Sequence, residues 1–554
     1  MFDAIVVGSG ISGGWAAMEL CKRGLKTLMI ERGRQLIHGD YPNANKDDWE
    51  LPNHNEITLM DKVESPIQTL NPFMSQANRH LWIIDQDGEY LQTKPFHWFR
   101  GDHVGGRSLM WGRQCYRLSD IDFESNLRNG VGVDWPIRYA DIKPWYDYVE
   151  KFIGVSGSKL GIDHLPDGIF LPPMKLNKLE REIQNKLREE YSDRFLTIGR
   201  AANITKDHQG RPACQNRNRC SRGCPLGSYF STQSSTLPVA NSTGNLTLKT
   251  DAVVQSVVYD DRVEKAIGVR FFNRATGETE TIKSKIIFIN ASTLGSTSIL
   301  LNSKSNRFPN GLGNDSGQLG KNLMDHHYNV GAIGTTSKYK EFIHNSNRPN
   351  VVYLPRFRNL YGRSQRPYVG GFAYQGGASR IGWRRPINAA EYGISYKNAA
   401  SEFGDWKFGL MGYGECLPYE SNRVELNPNK RDKFGMPLLD VSAEWGKNEH
   451  SMRVDMQNDA VEMLERVGLE NVTGFNDVCV MGANNHEMGT ARMGKLPNTS
   501  VLNKWNQMHA VKNVFVTDGA CMTSSACQNP SLTYMALTAR AANFAVNELN
   551  KQNI

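Results

Sequence analysis

The first apolar run of the chain, Ala4-Ile5-Val6-Val7, is unbroken and stops at a glycine. Such a run, four residues long and bounded by a turn residue, predicts a strand covered on both faces rather than one side of an amphipathic element. Apolar residues then recur at helical spacing through WAAMELCKRG, and a second short apolar run follows in KTLMIERG. Strand, turn, helix and strand in this order open a doubly wound nucleotide-binding fold. Residues 35–95 are rich in Pro, Asn and Asp and lack periodicity, which predicts an irregular excursion over the surface. NLTLKTDAVVQSVVYDD and EKAIGVRFFNRATGETETIKSKIIFINAS alternate apolar and polar positions, predicting a meander that rejoins the main sheet through IIFIN. Between 330 and 480, RPYVGGFAYQGG and WKFGLMGYGECL read as strands and SMRVDMQNDAVEMLERVG as a helix, so a second, sheet-based domain is expected there. The tail returns to a strand in NVFVTDGA, then a loop and a long helix.

Charge and composition remove several classes of function. The 554 residues carry 65 Lys and Arg against 57 Asp and Glu, a net +8. That charge is scattered rather than gathered into a stripe with aromatic platforms, so no nucleic-acid partner is expected. No apolar run approaches the roughly 18 residues of a spanning helix, and no membrane span is expected. The strand at residue 4 leaves no room for an export signal, so the chain alone points to the cytoplasm. Nine cysteines are too few and too scattered for a disulfide scaffold. Cys21, Cys115, Cys416, Cys479, Cys521 and Cys527 read as small core residues.

Candidate chemistry begins at Gly8, Gly10 and Gly13, a G-x-G-x-x-G that follows a predicted strand and opens a predicted helix. The first glycine permits the sharp turn, the second lets the backbone approach a pyrophosphate, and the third lets helix pack on strand. Glu31 ends the next strand, where a carboxylate can take a ribose hydroxyl and would repel the extra phosphate of NADP. FAD and NAD are not separated by this motif. A second glycine loop, GDHVGGRSLMWG with Gly105, Gly106 and Ser108, and the turn at Asp518 and Gly519 favour FAD, an extended ligand that needs partners along its whole length.

Cys214, Cys220 and Cys224 form a C-x5-C-x3-C-P run among Arg217, Arg219 and Arg222. Three thiolates in a loop with Gly223 and Pro225 suit a cuboidal three-iron cluster, [3Fe-4S], whose negative charge the arginines would temper. Zinc is the competing reading, although His208 lies outside the usual spacing for a fourth ligand. Plain structural thiols are the third.

VVGSGISGG, VGGRSLMWG, INASTLGSTSILLNS, GQLGKNLMDHH, HEMGTARMG and VTDGACMTSSACQNPSLTYMALTARAA occur in this order along nearly the whole chain. Together they resemble the glucose-methanol-choline family of FAD oxidoreductases. The resemblance implies an α/β chain in which a Rossmann-like FAD-binding domain (1–160, 200–330 and 481–554) is interleaved with a β-sheet-based substrate domain (161–199 and 331–480). It implies that Val254 meets the adenine through its backbone, that Pro530 lies against the cofactor, and that FAD is held without a covalent bond, Met110 standing where some relatives have a His. His486 and Asn529 match the family's catalytic pair. A neutral imidazole can take the hydroxyl proton while the amide supports the developing alkoxide. His326 and His327 read as loop or interdomain residues. The cysteine run is similar to that of a bacterial branch with a three-iron cluster, with Gln215 where some members have another Cys. That branch implies a glucoside 3-dehydrogenase or FAD-dependent glucose dehydrogenase, a small partner subunit that can carry the chain into the periplasm, and a cytochrome-type acceptor. The expected substrate is a sugar or glycoside oxidised at C3, with oxidation at C1 or of another polyol as the alternative, and a non-catalytic flavin electron carrier as the reading of another class. Tyr413, Glu415 and Tyr419 are candidate sugar contacts.

Overall fold

In the computed structural model, residues 1–85, 90–342, 348–361, 366–381 and 392–554 are described. The first strand, Phe2–Val7, lies inside a seven-stranded sheet, parallel to Thr27–Ile30 on one side and to Thr279–Ile289 on the other. Its alternate residues feed different cores. Ile5 and Val7 join Trp15 and Met18 on one face, while Ala4 and Val6 join Ala16, Ala17 and Leu20 on the other. This double burial is the physical reason the run is apolar throughout. Thr279–Ile289 makes the predicted return from the meander: residues 279–283 pair antiparallel with Lys265–Asn273, and 284–289 run parallel to the first strand. Val514–Val516 extends the parallel part.

A second sheet of six antiparallel strands runs in the order Glu470–Asn476, Val330–Thr336, Trp406–Gly414, Phe372–Arg380, Val352–Leu354 and Thr197–Ile198. Alternation along these strands divides its two faces. Phe372, Tyr374, Phe408 and Leu410 pack under the helices Lys178–Glu190 and Lys447–Arg466. From the opposite face Tyr353 and Ala373 pack with Tyr116 and Cys527, on the segment that leads to Asn529. A third sheet joins Arg423–Arg431, Pro437–Ser442 and Tyr90–Gln92. Its Val424, Leu439 and Val441 are buried in the core of the first sheet, so the segment 331–480 contributes to two cores.

The C-terminal helix Ser531–Asn550 is the keystone of the first core. It packs beside the helix Ile11–Lys22 and against Tyr139–Ile153, where the Tyr146 hydroxyl lies 2.8 Å from Thr533 Oγ1. Helix Tyr139–Ile153 is in turn clamped by a buried ion pair. Arg117 donates to Glu150 from Nε at 2.9 Å and from Nη2 at 2.5 Å, both side chains being 1 % exposed. Glu150 also accepts Ile169 N–H at 2.8 Å. A carboxylate buried to this degree is tolerable only with its cation in place. Arg117→Met is therefore expected to lower the unfolding free energy by about 3–5 kcal/mol, measured as a fall in the urea midpoint at unchanged slope. A shift corresponding to less than ~1 kcal/mol would mean that the pair does not hold this helix.

Candidate active site

The first strand-to-helix turn is built by close contact. Gly8 has φ +95°, and a Cβ there would stand 2.4 Å from Asn290 O. A Cβ on Gly13 would stand 1.9 Å from Gly8 O, so only glycine lets the helix Ile11–Lys22 lie this near the strand. Gly10 faces open space, at the N-terminus of a twelve-residue helix whose unpaired N–H groups suit an anion. The second glycine loop comes to the same place. Gly105 N–H donates to Ser9 Oγ at 2.8 Å, Ser108 Oγ donates to Gly105 O at 2.6 Å, and a Cβ on Gly106 would be 3.7 Å from Gly10 Cα. Glu31 accepts Ser9 N–H at 2.9 Å, Ser9 O–H at 2.6 Å and Gly33 N–H at 2.9 Å. Burial raises its pKa, and these donors oppose the rise. Its Oε1 takes one of these bonds and keeps a free lone pair for a hydroxyl donor. Val254 lies on a strand that starts against the Glu31 carbonyl, through Ala252 N–H at 3.0 Å, and pairing is irregular between Val254 and Ser256. An open anion site at a helix N-terminus, a carboxylate beside it and a glycine loop above it fit a dinucleotide such as FAD.

The turn at Asp518 and Gly519 braces the far side. Asp518 accepts Ala520 N–H at 3.0 Å and Ser296 O–H at 2.5 Å, and burial raises its pKa to about 6. Gly519 lies so near Glu487 that a Cβ would be 2.3 Å from its carbonyl oxygen. Glu487 pairs with Arg107 of the second glycine loop, at 3.1 and 2.8 Å. The residue after His486 is thus tied to both candidate cofactor loops.

His486 and Asn529 are brought together, with His486 Nε2 3.4 Å from Asn529 Nδ2. Asn529 comes from the turn before Pro530, which caps the C-terminal helix. Its Oδ1 accepts Gln375 Nε2–H at 2.7 Å, from the strand Phe372–Arg380 of the second sheet. One residue set aside in the sequence lies in the site: His326 Nδ1 is 2.9 Å from His486 Nδ1. Asp325 underlies both imidazoles, accepting the backbone N–H of His326 at 2.9 Å and of His486 at 3.1 Å. Burial and then Glu487 raise Asp325 to about 7. His486 is held well below the ordinary imidazole pKa, first by burial and then by His326 and Arg107, so its ring is neutral near pH 7. His327 is buried under Trp445 and points to Glu415 O at 3.2 Å, away from this pair. Of the candidate sugar contacts, Tyr413 stacks on Tyr328 with centroids 6.2 Å apart. Glu415 pairs with buried Arg356 at 3.3 Å, and Tyr419 donates to Glu449 at 3.0 Å; both are engaged in holding the fold.

Cys214, Cys220 and Cys224 line one small cavity, while Cys21, Cys115, Cys416, Cys521 and Cys527 are buried singly. Burial raises the Cys214 pKa. Among the described residues no three His, Cys, Asp or Glu side chains stand at single-ion distances, which a zinc site would need at about 2.3 Å from each sulfur. The loop is braced from outside. Arg217 bonds Asn45, Arg219 pairs with Asp47, and Arg222 reaches Lys46 O and Asp48. The loop's positive-φ Asn216, Asn218 and Gly223 provide backbone curvature of the kind that turns N–H groups toward an anion, and three thiols lining one cavity are the donor type that an iron-sulfur cluster takes. The loop also touches the second glycine loop, because the buried Tyr229 hydroxyl lies 2.7 Å from Leu109 O and 3.2 Å from Cys220 O. Among the described residues no helix is long and apolar enough to cross a membrane.

Models of the GMC oxidoreductase family match residues 2–328 and 418–538. The chain is 28 % identical to the 2-methyl-1,2-propanediol dehydrogenase of Mycolicibacterium austroafricanum, over 98 % of this chain and 94 % of that protein. It is 23 % identical to the fructose dehydrogenase large subunit of Gluconobacter japonicus, over 99 % and 98 %. The crystal structure of pyridoxine 4-oxidase from Mesorbium loti shares the fold, with a TM-score of 0.58 at 16 % identity over 98 % of this chain and 99 % of that one.

Gly13→Ala is expected to force the helix from the strand, at about 1–3 kcal/mol of overpacking. Retention of FAD should weaken by roughly 10- to 100-fold, read as the flavin-to-protein absorbance ratio after gel filtration. A fully yellow variant would show that this turn does not hold the dinucleotide.

Proposed function

The chain belongs to the GMC oxidoreductase family of FAD enzymes, and on that premise we propose that it is a dehydrogenase of a sugar or glycoside, oxidising a ring hydroxyl, preferentially at C3, to a ketone. The observation that carries the reading is the pairing of His486 Nε2 with Asn529 Nδ2, 3.4 Å apart, below a sheet face that contributes Gln375 and Tyr413. A hydroxyl placed between the two nitrogens gives its proton to the imidazole while the amide donates to the oxygen, where negative charge accumulates. Gln375 holds the Asn529 amide with its nitrogen toward that oxygen. The carbinol carbon loses a hydride as the hydroxyl loses its proton, so the alcohol gives up two electrons and becomes a carbonyl. Bound FAD, held at Gly8, Gly10, Gly13, Glu31, Gly105, Gly106, Ser108, Val254, Asp518, Gly519 and Pro530, supplies the hydride acceptor. Neutral His486 is ready to accept a proton, and the buried setting strengthens its bond to the hydroxyl.

Cys214, Cys220 and Cys224 would hold a three-iron cluster, which supplies a one-electron route from the flavin to an external acceptor other than oxygen. The matched Gluconobacter protein is a large subunit by name, which supports a small partner subunit, and a cytochrome fits as acceptor. The diol substrate in the name of the Mycolicibacterium relative favours a second reading, in which a smaller polyol replaces the sugar.

In anaerobic stopped flow, methyl glucoside is expected to bleach the flavin and yield a 3-keto product by carbon NMR. His486→Ala should keep FAD yet slow bleaching by a factor on the order of 10² to 10⁴. Because His486 titrates below the usual 6.5, the wild-type rate should be flat above that pH and fall only in more acid solution. An unchanged rate in His486→Ala removes the base role, a lactone overturns the C3 assignment, and a flavin that no alcohol bleaches identifies an electron carrier. The oxidised protein is also expected to give the paramagnetic resonance signal of a three-iron cluster, lost in Cys220→Ser with FAD retained. A silent spectrum with stoichiometric zinc would sink the relay.

A further inference from the structure

Two backbone carbonyls lie at the start of a chain of hydrogen bonds that ends at the reacting face of His486. His326 is fully buried, with Nε2 2.9 Å from Ala526 O and 3.2 Å from Ser525 O. Carbonyl oxygens only accept, so Nε2 of His326 carries hydrogen. Ala526 is the non-glycine residue of this turn with φ +52°, a conformation that costs about 1 kcal/mol or more. It persists here with the carbonyls of residues 525 and 526 both on one ring nitrogen. His326 is neutral, since burial brings its pKa to about 4. The neighbouring carboxylate, Asp325, is occupied by backbone N–H groups rather than by either ring. A neutral imidazole with hydrogen on Nε2 has a bare Nδ1.

We propose that His326 is a positioning residue that fixes the tautomer of His486, and with it the bare Nε2 that faces the substrate hydroxyl; the proposal rests on the reading of His486 as the base. The Nδ1 atoms of the two rings are 2.9 Å apart, and one hydrogen must lie between them. It cannot belong to His326, so His486 donates from Nδ1. Neutral His486 then presents an unprotonated Nε2 to Asn529 Nδ2 at 3.4 Å. The opposite tautomer would set two lone pairs against each other at 2.9 Å, or leave His326 Nε2 bare against two carbonyls. Flipping the His326 ring would put carbon against all three of its partners. Histidine ligands and bases are ordinarily oriented by an acceptor on the far nitrogen; here a second imidazole does this, itself oriented by the main chain.

The test uses the FAD-replete protein labelled with ¹⁵N-histidine. The signals lost in His486→Ala identify that ring, and the wild type is expected to show a protonated Nδ1 and a pyridine-type Nε2. His326→Leu removes the acceptor. It should mix the His486 tautomers and slow flavin reduction on the order of 10²- to 10³-fold, with FAD content and substrate Kd unchanged. His326→Gln offers an amide oxygen to His486 and N–H to the carbonyls, and should restore the rate to within about tenfold of wild type. A pyridine-type Nδ1 on His486 in the wild type overturns the proposal, and this measurement stands even if His326→Leu fails to fold. If His486→Ala reduces flavin at the wild-type rate, the base reading falls instead, whatever the tautomer.

Discussion

The structure depends on how closely the helix Ile11–Lys22 lies against the first strand, a distance set by Gly13 against the carbonyl of Gly8. Because the helix sits there, the C-terminal helix can pack beside it, and the position of the C-terminal helix fixes Pro530 and Asn529 at its entry. The same closeness brings Ser9 within reach of both Glu31 and Gly105, joining the two glycine loops. Candidate cofactor site and candidate chemistry thus share one mechanical origin, although 516 positions separate Gly13 from Asn529 in the chain.

Burial dominates the electrostatics around the pair. Asp325 is raised to about 7 and Asp518 to about 6, each first by loss of water. Both imidazoles move the other way for the same reason. The two imidazoles are therefore neutral in a dry setting, which leaves a bare ring nitrogen free to take a proton as the hydride departs. Arg107 is a permanent cation near His486, and Glu487 neutralises it.

Much of this was legible from local pattern. The unbroken run Ala4 to Val7, the glycine spacing after it and the alternation through residues 252–289 are each local patterns confined to a few neighbouring residues. The partnership of His326 with His486 has no such pattern: the two residues lie 160 positions apart, and the histidine after Asp325 has the local signature of a loop residue. Glu415 and Tyr419 went the opposite way, reading as polar candidates near a glycine-rich strand until Arg356 and Glu449 claimed them. Side-chain pairing across long sequence separation leaves no periodic trace, and the motif GQLGKNLMDHH contains His326 without showing what its ring touches.

The second sheet has a consequence for how this protein can change. Its inner residues are committed to packing under two helices, whereas Gln375 and Tyr413 leave from the other side of the same strands. Evolution, or a protein engineer, can therefore rewrite one face of a single scaffold to suit a new molecule while the reverse face continues to guarantee that the scaffold folds.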